Sequence, residues 1–271
     1  MHSQINFGYG WLWSYGHLAL AAVAGAILWL GLARGWRKPW LLLLGALTLW
    51  ALAAGLIVRF GFDLNGRTTL PTGRFLASGA GKVLDMGAGT GRSTLMVLEA
   101  RPQAFVVALD SFSDEYTRHF GNGKAGQPVV DEGRERLLDN LKAAGLRQRA
   151  SIQPGDMRQM PFEAATFDAI VSAYAIDHLS RIGIRQSLGE AFRVLKPGGQ
   201  FLLIVIAKDR WLTFTFGPML MHMRNAGPGF WQNELRAAGF EDNSRNLRGA
   251  QGNAQQDCRD RDFEQDIISV S

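Results

Sequence analysis

The stretch Val83–Thr94, VLDMGAGTGRST, is where side-chain chemistry and backbone freedom are most concentrated. An apolar run ends in Asp85, and Gly87, Gly89 and Gly91 then turn the chain tightly. Glycine suits such a turn because a Cβ obstructs both the turn and the approach of a ligand to the backbone. Two further carboxylates follow later apolar runs: Asp110 closes VVALD, and Asp156 stands in Gly155-Asp156-Met157. A carboxylate at the first position can accept from both hydroxyls of a ribose. One at the second can accept from an adenine amino group, with the Met157 thioether packed on the ring. Beyond them, Ser172–Leu179 (SAYAIDHL) gathers Tyr174, Asp177 and His178. His178 is a candidate general base, with Tyr174 and Asp177 as positioning groups. The plainer reading is that Asp177 caps the next helix and His178 is a packed polar side chain.

Spacing separates this loop from a dinucleotide fingerprint. G-x-G-x-x-G requires glycine at position 92, where the chain has Arg92, and no tyrosine is followed by a lysine four residues later as a short-chain reductase requires. Hydride transfer from a nicotinamide is therefore disfavoured.

These residues need a scaffold, and the surrounding pattern supplies one. Strands are predicted at Lys82–Met86, Ala104–Leu109, Arg149–Gln153, Phe167–Ser172 and Gly199–Ala207, and helices at Gly91–Ala100, Glu132–Ala144, Arg181–Leu195 and Phe230–Ala238. Such alternation predicts an α/β fold, a doubly wound Rossmann-like parallel sheet with helices on both faces. Ligands of such sheets bind beyond the carboxyl ends of the strands, where the loop and the acids fall. Two segments could close over that edge as lids: Phe112–Pro128, and the aromatic and methionine-rich Trp211–Arg224. The second reads equally well as ordinary core or as a piece dipping into a membrane surface. After Phe240 the chain is unusually polar through Asp266.

The first sixty residues have another character. Tyr15–Ala33 and Trp40–Val58 are apolar, free of acids and of Lys or Arg, and long enough to cross a hydrocarbon core about 30 Å thick. Trp11, Trp13, Trp36 and Trp40 mark their ends, and Arg34–Pro39 connects them. No polar stripe runs along either, as a soluble hairpin would need, and a cleaved signal peptide would not be followed at once by a second such stretch. A transmembrane helical hairpin is predicted. Residues 1–82 hold seven Lys/Arg against Asp63 alone, so the net +5 of the chain lies beside the apolar segments. That placement suits anionic lipid headgroups and argues against nucleic acid as a partner. Cys258 is the only cysteine, which excludes an internal disulfide and a multi-cysteine zinc site, and no metal site is expected.

The ordered pieces VLDMGAGTG, Asp110, GDMRQMPF (Gly155–Phe162), FDAIVSAYAIDHL (Phe167–Leu179) and VLKPGG (Val194–Gly199) resemble the class I S-adenosylmethionine (SAM)-dependent methyltransferases over residues 67–240. Within that superfamily the chain looks most like the small-molecule branch of quinone and sterol C-methyltransferases and arsenite methyltransferase. The last use several cysteines, which this chain lacks. The resemblance implies SAM as cofactor, with Gly87, Gly89 and Gly91 under its methionine part, Asp85 near the ammonium group, Asp110 on the ribose, and Asp156 with Met157 at the adenine. It also implies that Tyr174, Asp177 and His178 face the acceptor. The expected organisation is a hairpin over 1–60, a juxtamembrane linker over 61–80, a methyltransferase domain over 81–250, and a polar tail over 251–271 that carries a last edge strand. The expected function is methyl transfer to a small, lipid-like acceptor at the membrane bilayer, the alternative being a SAM-binding sensor or scaffold without turnover. Basic residues flank both hairpin ends alike, so orientation rests on SAM being cytosolic, which places the catalytic domain in the cytoplasm.

Overall fold

The structure, a computed structural model, describes residues 5–62, 64–112, 132–205, 210–217, 228–241 and 266–270. They fall into two compact units. One comprises Met1–Phe7, Arg67–Lys208 and His222–Ser271, and the other Gly8–Gly66 with Asp209–Met221.

The larger unit is built on a six-stranded sheet. Its strands are β1 (Ala80–Met86), β2 (Gln103–Asp110), β3 (Ala150–Pro154), β4 (Phe167–Ala173), β5 (Leu195–Val205) and β6 (Asp266–Val270), in the spatial order β3-β2-β1-β4-β5-β6. The first five are mutually parallel and β6 runs antiparallel along β5. The inner strands are apolar on both faces, as a sheet covered on two sides requires: Val83, Leu84, Met86, Ile170, Val171, Phe201 and Leu202 are all fully buried. The chain leaves β1 toward β3 on one side and returns to β4 on the other. The order therefore reverses between β1 and β4, and their carboxyl ends open the crevice in which such folds hold ligands.

The covering helices follow from periodicity. The helix Arg181–Val194 buries Ile184, Ser187, Leu188, Ala191 and Val194 along one stripe, and the Ser180 hydroxyl caps its start by accepting from Gly183 N at 3.2 Å. This stripe joins Trp231 and Leu235 of the helix Pro228–Ala237 in the same core as Leu84, Met86, Leu109 and Phe201. One boundary differs from expectation. Strand β5 begins at Leu195, opposite Phe167, and the next pair is Ala169 with Gln200. The Lys-Pro-Gly-Gly segment bulges out of the ladder, with Gly198 at φ +73°, and the strand then resumes.

The smaller unit contains α1 (Trp11–Ala33) and α2 (Lys38–Leu56), the latter continued by a π-helical turn over Ile57–Phe62. The two helices are long and apolar enough to cross a membrane, with mean hydropathy 1.8 and 2.4. Small residues form the seam between them: Ala21, Ala24 and Gly31 on α1 and Ala51, Ala54 and Gly55 on α2 are buried, while Leu12, Trp29, Leu42 and Leu49 point outward. The short helix Arg210–Phe216, part of the aromatic insert, belongs to this unit. Its carbonyls at Phe214 and Thr215 hydrogen-bond Trp50 Nε1 at 3.0 Å and His17 Nε2 at 3.1 Å. The other lid candidate, Phe112–Pro128, lies almost wholly outside the described residues.

Candidate functional site

The glycine turn is moulded against its neighbours. Gly87 N and Ala88 N both donate to Leu109 O, at 2.8 and 3.0 Å, so the loop folds back over the end of β2. Gly87 has φ +84°, and a Cβ there would collide with Ala175 Cβ and stand 3.0 Å from Met157 Cε. The left-handed backbone and the missing side chain are both required at this position. Gly91, at φ +91°, begins the helix Arg92–Ala100, and its Cβ would strike Leu137 of the helix Glu132–Ala143. A Cβ-free cradle at the β1/β4 crevice results.

Asp85 is wholly buried beneath the turn. Ser93 Oγ donates to both its oxygens at 2.8 Å, and Thr94 Oγ1 donates to Oδ2 at 2.5 Å. Burial pushes this carboxyl up to about 6 against the opposing pull of the two hydroxyls, with the nearby charge of Asp110 adding to the rise. Asp85 thus braces the loop and the first turn of the helix.

Asp110 stands at the end of β2 with Oδ2 accepting from Gly89 N and Oδ1 from Phe112 N, both at 2.8 Å. Each oxygen keeps a lone pair for a further donor. Burial raises this carboxyl while the backbone donors hold it down. Asp156, past β3, is more open and forms an ion pair with Arg158 at 2.6 Å, which lowers its pKa. Exposed pairs of this kind are weak and exchangeable, so the carboxylate can turn to another donor at little cost. Met157 reaches the glycine turn at Gly87.

The candidate acceptor segment leaves β4 through a strained residue. Tyr174 has φ +55°, rare for a non-glycine side chain, and its N donates to Ile204 O at 2.9 Å. Ala175 then meets the glycine turn, and a 3₁₀ turn over Ile176–His178 follows. Asp177 lies inside this turn, partly buried, whereas His178 is exposed. The structure therefore brings Gly87, Met157 and the start of the Tyr174–His178 segment together, with Asp110 bonded to the same loop.

Sequence reasoning overlooked several supports. Ser93 and Thr94 hold Asp85, and Ser172 Oγ ties β4 to β1 through Met86 O at 2.9 Å. Hydroxyls in the first helical turn after the glycines were the available signal for the first two. Asn140 carried none, since its role depends on a helix 50 residues downstream of the loop.

A glycine turn with a carboxylate beside it at the topological switch of a doubly wound sheet defines a class of protein, and residues 84–203 match the family described as a methyltransferase domain. Over this stretch the chain carries a SAM-dependent methyltransferase domain. It is 35% identical over 124 residues to the ubiquinone/menaquinone biosynthesis C-methyltransferase UbiE of Bartonella tribocorum, an alignment covering 45% of this chain and 40% of that protein. It is 27% identical over 137 residues to the demethylmenaquinone methyltransferase of Symbiobacterium thermophilum, covering 49% and 47%. The chain thus spans less than half the length of these relatives. Among solved structures, the YcgJ protein of Bacillus subtilis superposes with a TM-score of 0.44 at 24% identity, over 60% of this chain and 63% of that one.

The residues present fit SAM. Gly87 lets Ala175 and Met157 close against the turn, Asp110 offers acceptors on both oxygens, and Met157 provides a soft apolar surface beside them.

Proposed function

We propose that this protein is a membrane-anchored enzyme that moves a methyl group from SAM to a small, lipophilic, quinone-like acceptor at the cytosolic membrane face. The observation that carries the reading is the Cβ-free turn at Gly87, packed on Ala175 and Met157 and bonded through Gly89 to Asp110. The names of the two quinone methyltransferases support the acceptor class. The apolar hairpin supports an acceptor dissolved in the bilayer.

Bound in this cradle, SAM supplies a methyl carbon on a positively charged sulfur that departs as a neutral thioether, so no protein acid is needed for the leaving group. The chain's own work is holding, orienting and drying. Asp110 accepts from the ribose hydroxyls, Asp156 and Met157 take the adenine, and the turn at Gly87–Gly91 fixes the methionine part. Tyr174, Asp177 and His178 orient the acceptor. Holding the two reactants in line can contribute several kcal/mol to lowering the barrier. A carbon acceptor must also lose a proton, and His178 Nδ1 or Nε2 receives it.

Membrane anchoring draws support from the length and apolar character of the two helices, and two crossings return the chain to the side it left. The supply of SAM makes that side the cytosol.

The test uses purified full-length protein in lipid nanodiscs, incubated with methyl-labelled SAM and fractionated membrane lipid, with products identified by mass spectrometry. A labelled apolar quinone-class product is expected. SAM binding without any labelled product would overturn the catalytic reading in favour of a sensor or scaffold.

A further inference from the structure

The glycine turn is held from two sides, and only one of them belongs to the sheet. Its first half rests on β2, through Gly87 N and Ala88 N on Leu109 O and Gly89 N on Asp110 Oδ2. Its second half rests on the segment that precedes the first apolar helix. Thr90 Oγ1 donates to Phe7 O at 3.1 Å, and Thr90 O accepts from Asn140 Nδ2 at 2.9 Å. Asn140 then binds the backbone of Asn6 from both ends: its Oδ1 accepts from Asn6 N at 2.9 Å, and its Nδ2 donates to Asn6 O at 3.0 Å. The side-chain amide thus stands in for a neighbouring peptide group, pairing with Asn6 as one strand pairs with another. Both of its N–H groups are used, one on the loop and one on the strap. Phe7 is 2% exposed, and the Arg92 guanidinium at the start of the helix that follows the loop lies 4.5 Å over its ring. Asn140 is also 2% exposed with the strap in place, so its amide is satisfied by Asn6 and Thr90 in place of water.

We propose that Ile5–Phe7 is a strap that sets the shape of the cofactor loop, with Asn140 as the positioning residue that joins them. The inference rests on the SAM reading above. It adds that cofactor affinity depends on chain lying ahead of the membrane hairpin, far in sequence from the loop. Losing one or two such bonds lets Thr90 and Gly91 leave the geometry that the ligand needs, and SAM must then restore it on binding.

Two variants of the full-length protein in nanodiscs test this, Asn140→Ala and Phe7→Ala, each compared with the parent by SAM calorimetry and by amide hydrogen exchange without ligand. SAM affinity is expected to fall about fivefold to tenfold, the equivalent of one or two net hydrogen bonds. Exchange should accelerate at Gly87–Gly91 while that of β4 and β5 stays at the parental level. Parental affinity and parental loop exchange in both variants would overturn the proposal, as would acceleration spread equally over β4 and β5, which marks general loss of stability. Should the parent itself bind no SAM, the functional reading fails, and the exchange comparison still decides whether the strap shapes the loop.

Discussion

Gly87 is the position where one atom matters most. Alanine there must adopt a left-handed backbone and drive its Cβ into Ala175, a strain of about 1–3 kcal/mol joined by overpacking of similar size. Gly87→Ala is therefore expected to weaken SAM binding by about tenfold to a hundredfold in calorimetry while the chain still folds. Asp85 provides a pH signature. Its carboxyl is raised from 3.8 to about 6, chiefly by burial, so between those values the folded protein binds more protons than the unfolded chain. Stability from this group is thus greatest below the lower value and declines as pH rises through the window, by roughly 3 kcal/mol in all. Asp85→Asn should flatten that slope in urea unfolding at stepped pH, and an undiminished slope would place its origin elsewhere. For His178, exposed and on the turn after β4, replacement by alanine should lower turnover about tenfold and leave SAM affinity intact. Equal turnover would remove it from the chemistry.

At the scale of elements, the hairpin depends on close approach. A Cβ on Gly55 would lie 2.7 Å from Leu18 Cγ, so α1 and α2 meet where only glycine fits, as helices without a hydrophobic drive between them often do. Gly55→Val should cost the hairpin about 1–3 kcal/mol, read as earlier loss of helix-pair structure when SDS is titrated into detergent-solubilised protein. The elements that the sequence marked well were those with strong periodicity, such as the strand ending at Met86 and the helix from Arg181 to Val194. The start of β5 was less legible, because Pro197 and two glycines look like a turn while the ladder resumes beyond them. Likewise Trp211–Phe216 had the composition of a lid or a core piece. Only packing assigns it to the hairpin's unit, through the bonds from His17 and Trp50.

For the whole molecule, charge and hydropathy support the proposed membrane anchor. Leu12, Trp29, Leu42 and Leu49 expose most of their apolar surface, which water disfavours and a bilayer accepts. The protein is expected to remain in the membrane pellet after alkaline carbonate washing and to be released by detergent, and appearance in the carbonate supernatant would contradict the anchor. The α/β alternation, the glycine turn and the apolar hairpin were all written locally, in short runs and spacings, because hydrophobic period, turn geometry and charge are properties of neighbouring side chains. What holds the cradle was decided only by tertiary structure. Asn6 meets Asn140, Thr90 meets Phe7 and Gly87 meets Ala175 across 80 or more residues in each case. Such pairings leave no periodic trace, since a buried polar group selects whichever partner the folded backbone delivers.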